Sequence, residues 1–405
     1  MSYVVTGLGF GDEGKGMTVE ALCRRDNIKV VVRHNGGGQA AHNVCQKDGR
    51  HHTFSQFGSN SFMDGAITIL SKYMIVNPSS FLVEQEVLAA KTNLPQVFID
   101  ERSLVTTPFH VQLNRLREAA RGVAKHGTTG MGISETVLDS LAYPKEVIRM
   151  EDLLSFSTIV KKLHECRDRL MVEAERFGGK PNFDRIDITK VVQRFWDFSN
   201  NVTIGSKGIQ KIMAKGPVVF EGAQGVLLDQ DFGFHPHTTW SKTTPHNAWE
   251  ICKEFGIEAP KVVGVTRVYA TRHGEGPFPT ERYDLDFPEI HNAGDGFAGQ
   301  FRVGHLDIGL LNYANQCCGG IDYLAVNHID CKPDFYFDST MSRPLTVPSN
   351  VHKQEGLCGQ MWKVLPLSEA KQFPENFPEF IAQQLMTKLL VTGGGLTYED
   401  RAFRY

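Results

Sequence analysis

Tyr3-Val4-Val5-Thr6-Gly7-Leu8-Gly9-Phe10-Gly11-Asp12-Glu13-Gly14-Lys15-Gly16 is the stretch on which the reading of the fold turns. A short β-branched run ends in a glycine-rich loop, and a helical pattern continues from Gly16 to Arg25. From Gly9 the loop fits G-x-x-x-x-G-K, with Gly16 standing where a hydroxyl would reach magnesium. Glycines let backbone amides turn inward on a phosphate, the helix N-terminus adds partial positive charge, and Lys15 supplies a point charge. A lone Gly-x-Gly would be read equally well as an exposed turn. Strand, five glycines, lysine and helix in one run point to phosphate binding. Asp12 is the unusual member, because an acid beside phosphate is repulsive unless a cation lies between them or the acid has chemistry to perform.

The same signature recurs along the chain. Lys29–Arg33 runs into Asn35-Gly36-Gly37-Gly38, Pro217–Glu221 into Gly222, and Val262–Ala270 into Thr271-Arg272. Ile321–Val326 runs into Asn327, and Leu389–Thr392 into Gly393-Gly394-Gly395. Strands that are continuously apolar, rather than alternating, belong to a sheet buried on both faces. Helical stretches lie between them, one opening at Asn77-Pro78-Ser79-Ser80 and running to about Lys91, where Ser and Pro suit a helix start. The expected fold is α/β, a mostly parallel central sheet with flanking helices and ligands outside the carboxyl ends of its strands. Residues 151–215 are more polar, rich in Lys and Arg at helical spacing, and read as a helical elaboration. With no internal repeat and no linker, residues 1–405 read as a single large domain.

Composition narrows the function classes. The 405 residues are 41% hydrophobic and 22% charged, which is ordinary globular usage. A net charge of −3 gives no basis for a nucleic-acid or membrane partner built on bulk charge. No apolar run is long enough to span a bilayer, and the chain enters a strand pattern at once, without a signal peptide. The eight cysteines form no CxxC pair and no framework, so they read as reduced thiols of a cytoplasmic protein rather than disulfides or zinc ligands.

The second loop is Arg33-His34-Asn35-Gly36-Gly37-Gly38-Gln39-Ala40-Ala41-His42. Its three glycines allow close backbone approach, and His42 is a candidate acid near neutral pH, although one histidine alone reads as readily as a structural residue.

Together these loops resemble the adenylosuccinate synthetase family, which carries GDEGKG followed by VVRxxGGxxAxH; Gly11–Gly16 and Val31–His42 match. Further matches follow in family order at Gly127–Ile133, Phe220–Asp229, Thr243-Thr244 and Thr271–Glu281, with weaker echoes at Gly304–Asp307 and Thr392-Gly393. The resemblance implies a ligase. The 6-oxygen of a purine monophosphate attacks the γ-phosphate of GTP, and the amino group of L-aspartate then displaces phosphate. By motif, Asp12 would be the general base and a Mg2+ ligand, Ala41 would give a second ligand through its carbonyl, and Lys15 and His42 would serve the transferred phosphate. The nucleotides would be held by Gly11, Glu13, Gly14, Gly16, Gln39, Thr128, Thr129, Gln224, Thr239, Thr392 and Gly393, with Asp330 reading guanine. A homodimer is implied as well.

Departures cluster on the substrate side. The family's arginine-rich aspartate loop corresponds here to residues 294–303, where Arg302 alone remains to pair with a carboxylate. Ser140–Glu146 lacks the arginine given to a partner subunit, with Lys145 and Arg149 as substitutes; His328 replaces a lysine and Gly394 a proline. These changes leave GTP and ATP both open. They also keep two alternatives: the same chemistry on GMP or dGMP, as in viral relatives, and a catalytically silent nucleotide-binding regulator. A GTPase switch is disfavoured by Gly16.

Overall fold

The β-branched runs read from the sequence lie side by side in one ten-stranded sheet. From edge to edge its order is Arg401–Phe403, Lys388–Gly393, Tyr323–Asn327, Lys261–Arg267, Tyr3–Gly7, Val218–Gly225, Val30–Arg33, Ile67–Leu70, Gln96–Ile99 and Thr203–Ile204. Neighbours run parallel except at one edge, where Arg401–Phe403 pairs antiparallel with Lys388–Gly393. This computed structural model describes residues 1–405 other than 180, 286, 288, 290–296, 298, 332 and 405.

Every residue of Tyr3–Gly7 is buried, which explains its nearly continuous apolar pattern: both faces are covered, and Thr6 is its one polar side chain besides the Tyr3 hydroxyl. Its neighbours Val218–Gly225 and Lys261–Arg267 are parallel to it, so the loops after all three strands emerge on one side. The glycine loops converge there.

One expected element divides. Val262–Ala270 is not a single strand: Lys261–Arg267 belongs to the central sheet, while Tyr269–His273 pairs antiparallel with Phe301–Asp307 in a four-stranded second sheet. The ladder with Tyr323–Asn327 ends at the pair Arg267 and Asn327, leaving no partner to continue the first strand.

Helix Lys15–Arg25 follows the phosphate loop, and Pro78–Ala89 begins as expected, with the Asn77 side chain accepting from the Ser80 amide at 3.1 Å. Within 151–215 lie helices Phe156–Glu175, Ile188–Asn201 and Ser206–Met213, together with the short strand Thr203–Ile204 that extends the sheet. Leu163, Cys166, Phe195 and Phe198 share one core with the sheet residues Leu70, Val97 and Ile99. All eight cysteines are free thiols. Among the described residues, no helix is long and apolar enough to cross a membrane.

Candidate active site

A cavity of about 510 Å³ opens at the carboxyl ends of the central strands, within the range of small-molecule sites. The first glycine loop forms one wall. Gly14 caps the following helix with φ 86°, a left-handed conformation that glycine adopts without strain. The Asn327 amide holds this turn, donating to the Glu13 carbonyl at 2.8 Å and to Thr18 Oγ1 at 3.2 Å. Gly11, Gly14, Lys15 and Gly16 all line the cavity.

Glu13 differs from its expected role. Its buried carboxylate turns into the loop, accepting from the amides of Gly9 at 3.0 Å and Gly11 at 2.8 Å and from Lys15 Nζ at 2.6 Å. A Cβ on Gly225 would fall 2.6 Å from Glu13 Oε1, so glycine there makes room for this strut. The side chain supports the loop from within and leaves only the Glu13 backbone for a nucleotide.

Asp12 faces the cavity from a left-handed backbone, φ 61°. Its Oδ2 lies 3.1 Å from His273 Nε2, and its carbonyl accepts from Arg267 Nε. Burial opposes ionisation, yet the His273 hydrogen bond and the charges of His273, Arg267 and Lys15 outweigh it and hold the carboxyl below its ordinary range. Arg267 is committed elsewhere, to Glu289 and to Tyr269 Oη at 3.1 Å.

His42 lines the same cavity, with Nδ1 2.5 Å from Glu221 Oε1. Glu221 is fully buried and also accepts from the Ser59 amide at 3.0 Å and the Ser59 hydroxyl. Burial raises its pKa, but the Arg33 charge and the His42 contact prevail and bring it down to about 2. An ionised carboxylate only accepts, so His42 donates from Nδ1 and keeps Nε2 as its other polar atom. Burial is the largest influence on His42 and lowers its pKa despite Glu221, so the ring is mainly neutral at pH 7.

Gln39 and Gln224 also line the cavity, and Gln39 Oε1 and Nε2 and Gln224 Oε1 are buried without a partner. Buried polar groups without partners are rare in folded chains, and here they face space that a nucleotide would fill. Thr128, Thr129, Thr239 and Ala41 complete the expected residues in the wall.

Other expectations fall outside it. Asp330 is exposed in the turn Ile329–Cys331, and neither it nor Thr392 or Gly393 lines the cavity. His328, at φ 58°, Gly395, Leu396 and Arg401 form that wall instead. Arg302, expected to hold a carboxylate substrate, already holds Glu281: Nε to Oε1 is 2.8 Å and Nη2 to Oε2 is 2.5 Å, while Nη1 donates to the carbonyls of Gly274 and Gly276. Of its loop, residues 294–296 and 298 lie outside the described residues. Arg302→Ala and Glu281→Gln are expected to lose stability non-additively, with a coupling of about 1–3 kcal/mol in a double-mutant cycle by urea unfolding. Simple additivity would mean that the pair is not a unit.

Reading the sequence passed over Glu221, His273, Arg267 and Asn327. Glu221, an acid closing the apolar run Val218-Val219-Phe220, His273, within the matched stretch Thr271–Glu281, and Asn327, at the end of Ile321–Val326, all carried a signal without being given a role.

An acid kept ionised inside a phosphate loop, in one cavity with a buttressed imidazole, has little use in passive binding; fold and cavity define a nucleotide-dependent enzyme. Residues 4–336 match the adenylosuccinate synthetase family model. The adenylosuccinate synthetase of Thermoplasma volcanium is 33% identical over 336 residues, covering 81% of this chain and 75% of that protein. That of Chlorobium chlorochromatii is 31% identical over 353 residues, covering 83% and 78%. Among solved structures, fully ligated adenylosuccinate synthetase from Plasmodium falciparum has the same fold, with TM-score 0.80, 21% identity and full coverage of both chains. The cyanophage S-2L succinoaminodeoxyadenylate synthetase PurZ, bound to dGMP and dATP, also matches in fold, with TM-score 0.63 and 14% identity over 99% of this chain and 95% of that one. The chain belongs to the adenylosuccinate synthetase family, a family of nucleoside-triphosphate-dependent C–N ligases.

Proposed function

We propose that this protein joins the amino group of L-aspartate to C6 of IMP, driven by GTP, through a 6-phosphoryl intermediate. The observation that carries the reading is Asp12, held ionised within the phosphate loop and facing the same cavity as the Glu221-supported His42. Asp12 takes the N1 proton as the 6-oxygen attacks the γ-phosphorus and the bond to the bridging oxygen of GDP breaks. Lys15 and His42 meet the charge on the transferred phosphoryl group, His42 by taking up a proton when phosphate arrives. The aspartate amine then adds at C6, and inorganic phosphate leaves.

Mg2+ would be held by the Asp12 carboxylate and the Ala41 carbonyl, both in the cavity wall; an all-oxygen donor set suits a hard cation. When bound it neutralises phosphate charge. Gln39 and Gln224 bring their unpartnered amide atoms to the nucleotides, and Thr128, Thr129 and Thr239 bring hydroxyls. We read residues 1–405 as one domain with 151–215 as its elaboration, which the core shared by Leu163 and Leu70 supports. The protein is proposed to be a cytoplasmic homodimer.

A second reading, the same chemistry on dGMP or GMP with ATP as donor, is favoured by one observation: Asp330, the expected guanine reader, is exposed outside the cavity wall. Phosphate release with Mg2+, crossing GTP and ATP against IMP, dIMP, GMP and dGMP with and without aspartate, separates the two. Aspartate-dependent release with IMP is the expected result. Release with guanine nucleotides only would establish the second reading, and silence throughout would end both.

A further inference from the structure

The cavity must neutralise far more negative charge than its cations can meet directly. Four lysine or arginine residues line it: Lys15, Arg267, Arg272 and Arg401. Lys15 belongs to the phosphate loop, and Arg267 is committed to Glu289, Tyr269 and the Asp12 carbonyl. Arg272 spends its donors on the carbonyls of Glu275, Pro277 and His237. Arg401 contacts the carbonyls of Gly394 and Gly395, beside the wall that holds His328. Thus the wall formed by Thr128, Thr129, Thr238 and Thr239 has hydroxyls but no lysine or arginine with donors to spare among the described residues.

What that wall does have is histidine. His126 and His237 both line it, their ring centroids 6.3 Å apart, with His237 Nδ1 3.5 Å from the His126 carbonyl. Trp362 packs edge-on against His237 at 5.6 Å and limits its rotation. Two imidazoles at this spacing can each reach a different oxygen of one phosphate, and protonated rings are donors at both nitrogens.

We infer that His126 and His237 form a proton-dependent clamp for the phosphate of the nucleoside monophosphate. The inference rests on the cavity being the two-nucleotide site proposed above. The charged groups facing His126 are Arg121, Glu118 and His235; those facing His237 are Arg272, His126 and Glu275. Glu118 is itself occupied by Arg121 and the amides of Gly127 and Thr128. Burial is the main influence on both rings and depresses their pKa, aided by Arg121 on His126 and by Arg272 on His237. An arriving dianion reverses that balance, so each ring takes up a proton as the monophosphate binds.

Calorimetric titration of IMP and dGMP, at several pH values and in buffers of different ionisation enthalpy, tests this without requiring turnover. Wild-type protein is expected to take up protons on binding and to lose about tenfold in affinity between about pH 6.5 and 8.5. In His126→Asn/His237→Asn, monophosphate affinity at the lower pH should fall about tenfold or more, proton uptake should vanish, and GTP affinity should stay within about twofold. His237→Arg, which restores a fixed cation, should regain much of the affinity with a flatter pH dependence. Unchanged affinity and proton uptake in the double variant would overturn the clamp and leave the proposed function standing. Failure of both nucleotides to bind the wild-type protein at any pH would overturn both.

Discussion

Asp12→Asn is expected to bind GTP within about threefold of wild type while phosphoryl transfer falls at least about 10³-fold. The substitution keeps the geometry of the loop while removing the charge that faces His273. Asparagine tolerates the left-handed backbone at φ 61°, and the Asp12 carbonyl still accepts from Arg267. What disappears is a negative charge and a proton acceptor; an amide can neither take the N1 proton nor serve a cation as well. Single-turnover phosphate release beside equilibrium GTP binding measures the two quantities separately. Wild-type turnover in the variant would remove Asp12 as the base.

The second large effect is expected at Glu221. Three donors converge on its carboxylate, from His42 Nδ1, the Ser59 amide and the Ser59 hydroxyl, with the Arg33 charge nearby. Glutamine offers one acceptor oxygen and turns an NH2 group toward the remaining donors. Glu221→Gln should therefore cost on the order of 3 kcal/mol in stability and lower kcat by about 10²–10³-fold through a misoriented His42. The pH dependence has a definite sign. The folded-state pKa, about 2, lies below the ordinary value of 4.5, so the ionised form stabilises the fold above pH 4.5 and that contribution is lost as pH falls toward 2. Urea unfolding between pH 7 and 3 should show this acid loss in wild type and a flatter profile in the variant. Identical profiles would mean that Glu221 is not the ionised anchor of His42.

Much of this architecture is legible in local patterns. A strand buried on both faces reads as an apolar run rather than an alternation, so Tyr3–Gly7 and Leu389–Thr392 stand out, and the phosphate loop declares itself through glycine, lysine and the helix after it. Pairings between distant segments carry no such mark. His42 and Glu221 are 179 positions apart, and nothing in either neighbourhood specifies the other. Arg302 illustrates the same difficulty from the opposite side: an arginine suited to a substrate carboxylate is equally suited to Glu281, and only the antiparallel bridge between Glu281 and Gly304, beside Arg302 in Phe301–Asp307, brings those two together. Thr203–Ile204 escaped notice because a two-residue edge strand is too short to show a period.

The described residues hold five non-glycine positions in the left-handed backbone region, and three of them, Asp12, Gln224 and His328, are in the cavity wall. Each such position costs a folded chain on the order of 1 kcal/mol that glycine would recover. A laboratory selection for thermal resistance alone would therefore be drawn to these three sites, and glycine there would raise the melting temperature while removing the groups that face the nucleotides. Improvement of this scaffold by heat challenge must be screened for turnover at every round, because three of these five positions lie in the wall of its own cavity.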